Sequence, residues 1–149
     1  MKKYIFAAIL AGILIVAYFL LSAKPAYAEG TVAGPMHWHP RISVYIEGDG
    51  LRIPDNLGVN RQPHLPVHTH TEGDGTIHFE FGQSKIPKNQ LTVGYFMNEV
   101  WGKKFNGSCV LEYCNDGERK VSMLVNGREN TEFERYVMSD KDEIEIRYE

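Results

Sequence analysis

The chain has 149 residues, 43% of them hydrophobic and 23% charged, with a formal net charge of −3 at pH 7. These values sit near the globular average, allow one domain rather than two, and exclude a collagen-like, disordered or multi-pass membrane protein. A mildly acidic chain is also a poor nucleic-acid partner, because phosphates call for a basic face.

The first 28 residues read as an address. Lys2 and Lys3 form a positive start, the run from Tyr4 to Leu21 carries no charge, and Pro25 precedes Ala26-Tyr27-Ala28. That A-x-A pattern is what a signal peptidase accepts, so residues 1–28 are expected to be a signal peptide. The alternative is an N-terminal membrane anchor, since the uncharged run is just long enough to span a bilayer. Either way residues 29–149 are expected outside the cytoplasm, secreted or at the cell surface or periplasm. A membrane is met only through residues 1–28, if they stay attached. Cleavage removes Lys2, Lys3 and Lys24 and no acid, leaving 13 basic side chains against 19 acidic ones, a net charge of −6.

Residues 29–36 are small and turn-rich and read as a lead-in segment to a single β-rich domain over 37–149. From Met36 to Ile46 apolar and polar residues alternate. Met36, Trp38, Ile42, Val44 and Ile46 share one face, and His37, His39, Arg41, Ser43 and Tyr45 the other. Glu47-Gly48-Asp49-Gly50 is a turn, and pairing Ile46 with Leu51 and Val44 with Ile53 needs an even loop. Pro54, Gly58, Pro63 and Pro66 make 54–66 an irregular loop. Strand signals return at Val67–Thr71 and Thr76–Phe81, around a second EGDG at 72–75. One short helix is expected near 92–102, with Thr92 as cap, Val93, Phe96, Met97, Val100 and Trp101 at helical spacing, and Gly102 at its end.

Cys109 and Cys114 suit an oxidising compartment and are expected to pair. Five residues of straight strand span about 17 Å, whereas bridged Cα atoms lie within roughly 7 Å. A disulfide therefore demands a bend inside Val110–Tyr113, where no turn residue stands. A cross-chain bridge or free thiols are the alternatives. Asn106-Gly107-Ser108 is a glycosylation sequon, a weak signal in itself. Val110–Tyr113 and Lys120–Val125 read as strands, Asn126-Gly127 as a hairpin turn, and Glu143–Tyr148 as a closing strand with Ile144, Ile146 and Tyr148 on one side. The fold class is mainly β, an antiparallel β-sandwich with one short helix. A β-grasp-like sheet is the alternative, prompted by the closing D-x-D-E-I-E-I run.

The histidines carry the chemistry. His37 and His39 form one H-x-H pair, His68 and His70 another, and His78 with Glu80 a third pair of equal parity. Residues two apart on a strand point the same way about 7 Å apart, close enough for two imidazoles to converge on one ion. A three-residue loop, Gly73-Asp74-Gly75, sets His70 opposite His78 and His68 opposite Glu80, with Thr69, Ile77, Phe79 and Phe81 turned to the core. Gly75 would take the left-handed position such loops use. The expected site is on the solvent face of the sheet: His68, His70 and His78, with Glu80 as fourth or supporting group. Imidazole sites suit copper or zinc, and copper(II) binds a given nitrogen set more tightly. His37 and His39 complete this site if their strand neighbours Val67–Thr71, and otherwise form a second site or meet another molecule. His64, among prolines, reads as an ordinary loop histidine.

HWHP, IPDNLG, HTHTEGDGTIHFE and the closing VNG…DEIEI together resemble a set of uncharacterised secreted or membrane-anchored prokaryotic proteins. The resemblance covers most of 36–149 and implies only that the histidines act as a set. Three functions are open. One is a non-enzymatic metal-binding module outside the membrane, for copper or zinc. Another is a self-assembling filament or oligomer subunit, with metal at contacts between copies or with an edge strand or segment 29–36 exchanged. The third is a small His-ligated zinc or copper enzyme, similar in its H-x-H plus distant His to carbonic anhydrases. No proton shuttle is recognisable for it. The cupin pattern fails because Glu72 follows H-x-H too soon, and a blue-copper set fails for want of a free cysteine.

Overall fold

The computed structural model describes residues 27–71 and 73–149, so the expected leader lies outside the described residues except for Tyr27 and Ala28. No helix among the described residues is long and apolar enough to cross a membrane. The strands, in chain order, are β1 (Thr31–Ala33), β2 (Met36–Trp38), β3 (Arg41–Ile46), β4 (Asp49–Leu51), β5 (Val67–His68), β6 (His78–Phe81) and β7 (Lys85–Pro87). They continue with β8 (Phe105–Asn106), β9 (Cys109–Val110), β10 (Tyr113–Cys114), β11 (Val121–Val125), β12 (Arg128–Glu129) and β13 (Glu143–Tyr148).

The largest sheet has the order β12-β11-β13-β3-β4. Alternation places Ile42 and Val44 of β3, Val121, Met123 and Val125 of β11, and Ile144, Ile146 and Tyr148 of β13 on one buried face. The registers put them in rows, with Met123 opposite Ile146 and Ile146 opposite Val44. The domain is mainly β, as expected, and among the described residues its strand pairings are antiparallel except for one: β13 runs parallel to β3. This parallel pair is bordered by β4 on one side and by the β11-β12 hairpin on the other. Three smaller sheets pack around it, β2-β6-β5, β10-β9-β8 and β1-β7. Buried residues from Met36 to Tyr148 form one core cluster.

Several local expectations are refined. The alternation from Met36 to Ile46 keeps its parity but not its continuity. The chain leaves one sheet at Trp38 and enters another at Arg41, because Pro40 has no N–H to continue the ladder. Both EGDG hairpins keep the expected loop parity and slip by two residues. Ile46 faces Asp49 and Val44 faces Leu51, across the two-residue turn Glu47-Gly48 with φ of 52° and 90°. That turn type matches the right-handed strand twist, so it displaces the longer loop. The lead-in segment is itself ordered: Thr31–Ala33 pairs with Lys85–Pro87.

Cys109 and Cys114 are joined, and the bend their pairing demands is at Leu111-Glu112, with Leu111 at φ 53°. The expected straight strand over Val110–Tyr113 is therefore a hairpin, with Val110 opposite Tyr113. The Asn106 side chain is occupied locally, accepting hydrogen bonds from the Ser108 and Cys109 N–H groups at 2.8 and 2.9 Å. The helix near 92–102 is present, and its Tyr95–Val100 part is π-helical. Thr92 caps it, its hydroxyl oxygen accepting from the Tyr95 N–H at 3.1 Å, and Gly102 at φ 72° closes the segment. Val93, Phe96, Met97 and Val100 are buried. Tyr27 is buried too, its N–H donating to Asn89 Oδ1 at 2.7 Å. Gly94 admits it, since a Cβ there would lie 2.7 Å from Tyr27 Cδ1.

Candidate metal centre

The site is built on the three-stranded sheet, in which β6 lies between β2 and β5. Register sets His37 opposite Glu80 and His68 opposite His78. The other face of these strands carries Met36, Val67, Phe79 and Phe81, all buried in the core. Parity thus drives the histidines and Glu80 onto the opposite face together. The odd parity is as expected and Gly75 is at φ 81°, but the three-residue loop is not formed: β5 ends at His68 and β6 begins at His78, so His78 rather than Glu80 stands across from His68. Gly75 is needed for a second reason, because a Cβ there would collide with the Ile42 carbonyl of β3.

Strand β2 lies beside β6, not beside β5; His37 sits on it and His39 just beyond its end. They make a group of their own. His68, His70, His78 and Glu80 offer one ligand atom each, all within 4.8 Å of one another, and His37, His39 and His78 do the same. These groups could hold a metal ion. His39 is positioned by its backbone N–H, which donates to Asp140 Oδ1 at 2.9 Å. His37 Nε2 lies 3.3 Å from Glu80 Oε1.

His68 is the best organised member. Its ring Nδ1 lies 3.1 Å from the Leu65 carbonyl oxygen, which can only accept, so Nδ1 carries the proton and Nε2 keeps its lone pair. That lone pair faces His70 Nε2 at 3.2 Å. Two nitrogens bound to one tetrahedral ion at about 2.0–2.1 Å stand roughly 3.3 Å apart. The spacing therefore already suits shared ligation, and a backbone carbonyl on the far ring nitrogen is the usual way a ligand imidazole is oriented. Burial, and then the neighbouring His64 ring, hold the His68 imidazole below its ordinary pKa, against the pull of the Leu65 carbonyl. Its neutral, metal-binding form is favoured.

Full burial of His68 corrects the expectation of a wholly solvent-facing site. The loop 54–66 folds over it. Gly58, at φ 80°, comes so close that a Cβ would stand 2.7 Å from the Val67 carbonyl oxygen and 3.2 Å from His68 Cβ. Thr69 ties this loop down from the core face: its hydroxyl donates to the Pro54 carbonyl at 2.9 Å and accepts from the Leu57 N–H at 3.1 Å. Neither Gly58 nor Thr69 stands out in the sequence, although Thr69 lies between two histidines. His64 is an exposed loop residue that belongs to neither group, and its ring centroid lies 4.4 Å from that of His68. Ring contacts run on from His68 to His70 and His78, then to His39 and His37, linking all six histidines.

The surroundings are shallow. The cavity touching His70, lined also by Thr69, Asp55 and Gly73, has about 10 Å³, about enough for one water molecule. A second depression of about 390 Å³, lined by Met36, His37, Glu80, Phe81 and Gly82, opens broadly to solvent. Compared with protein-family models, curated proteins and solved structures, the chain matches none of them.

Proposed function

We propose that the protein is a non-enzymatic metal-binding module that works outside the cytoplasm and takes copper or zinc through His68, His70, His78 and Glu80. The observation that carries this reading is the pair His68 Nε2 and His70 Nε2, 3.2 Å apart, with the first ring locked by the Leu65 carbonyl. Nitrogen-rich ligation favours copper(II) over zinc for the same site. The shallow relief around the histidines supports binding rather than turnover, since it offers no enclosed cleft in which a substrate would be held against the ion. The disulfide and the leader-like start support the location.

The test is elemental analysis of purified protein after exposure to copper and to zinc, beside a His68→Ala/His70→Ala variant. Retained metal in the parent and a clear loss in the variant support the reading. Equal retention in both, or none in either, overturns it. Mass measurement with and without metal then separates a monomeric carrier from a subunit that assembles through metal.

A further inference from the structure

The five histidines 37, 39, 68, 70 and 78 and Glu80 do not make one mutual set. They make two, and His78 belongs to both. We propose that the sheet holds two metal ions side by side, the inner one on His68 and His70 and the outer one on His37 and His39, with His78 shared between them and Glu80 alongside both. This rests on the metal-binding reading and extends it from one ion to a bridged pair.

The topology makes the sharing natural. β6 is the middle strand, so its outward residues His78 and Glu80 have ligand-bearing neighbours on both flanks. His78 meets His70 edge-on at a centroid distance of 4.3 Å and His39 edge-on at 4.8 Å. An imidazole has two ring nitrogens and can serve one ion with each, its remaining ring proton leaving to solvent as the second ion binds. Glu80 is similarly placed. It belongs to the inner group, and its Oε1 is 3.3 Å from His37 Nε2 of the outer one. Its carboxylate also contributes one negative charge between the two cations. The pair is unequal. The inner ligands include a fully buried, preoriented imidazole, whereas the His37 side chain is 63% exposed. The inner position fills first.

The experiment loads the full chain with copper(II), removes loosely held metal with a chelating resin, and combines elemental analysis with spin-counted electron paramagnetic resonance. A His37→Ala/His39→Ala variant is run alongside. Both side chains lie at the surface, so the melting temperature checks that the fold is kept. The expected result is two equivalents in the parent with a spin count well below two, because copper(II) ions sharing one ligand couple magnetically. In the variant one equivalent with its full spin count is expected. One equivalent in both proteins overturns the second ion and leaves the metal-binding reading standing. Two equivalents in both places the second ion elsewhere and also overturns it. Two equivalents at full spin count refutes the shared His78. No copper in the parent overturns the metal-binding reading itself.

Discussion

Gly58 shows how a residue without a side chain can hold a neighbouring imidazole in place. Its φ of 80° and the 2.7 Å that would separate a Cβ from the Val67 carbonyl leave no room for alanine. Gly58→Ala is expected to cost about 1–3 kcal/mol in strain and contact. Because the same residue closes over His68, copper retention should fall although every ligand remains. Thermal melting and a chelator competition measure the two effects, and unchanged retention would show that the loop does not organise the site. Asp116 provides a second residue-scale test, through pH. Its carboxylate accepts from the Glu118 and Arg119 N–H groups and from the Tyr148 hydroxyl, which together hold it at about 2, well below its ordinary value. A carboxylate depressed in the folded state contributes stability above its unfolded pKa, and that contribution is lost as pH falls from about 4 towards 2. Asp116→Asn should therefore flatten the acid limb of a melting-temperature profile in that window and leave its shape unchanged near neutrality.

Among the elements, the segment before β1 is the one whose status bears on how the protein is presented. Cleavage after Ala28 would remove Tyr27, a buried side chain seated on Gly94 with its backbone N–H on Asn89. Burying a large side chain contributes roughly 1.5–3 kcal/mol. A chain beginning at residue 29 is expected to melt measurably lower than one beginning at 27. Equal melting would mean that Tyr27 contributes nothing to the fold. The helix carries a comparable lesson. Its apolar spacing, cap and terminator are all readable, yet the π-helical pitch is not. Asn98 sits inside this segment, donating to the Gly94 carbonyl of its own helix and to the Phe105 carbonyl, and accepting from the Phe105 N–H. The two Phe105 partners are available only because β8 lies alongside.

For the whole molecule, the metal reading implies linkage. An ion bound by the folded chain alone stabilises it by about 2.7 kcal/mol at a hundredfold excess over its dissociation constant. Zinc should raise the melting temperature of the parent and a chelator should reverse the rise, whereas the His68→Ala/His70→Ala variant should respond weakly. A rise of equal size in both would place the stabilising ion elsewhere.

The sequence by itself determined what depends on parity and on local turn chemistry. Alternation assigned Ile42, Val44, Ile144, Ile146 and Tyr148 to a buried face. It likewise set His68, His70, His78 and Glu80 on one side, while Asn126-Gly127 marked its hairpin and Cys109 with Cys114 its bridge. Parity survives any slip of two residues, so it could not choose between His78 and Glu80 as the partner of His68. The turns and the packing behind them made that choice. Nor could it show that Pro40 sends the two halves of one alternating run into different sheets, or that β2 lies against β6. The cover of His68 by Gly58 and Leu65, the anchor at Thr69 and the approach of the His64 ring all join residues with no periodic relation to one another. Such contacts are set by how a loop closes over a sheet, and only the tertiary structure decides that.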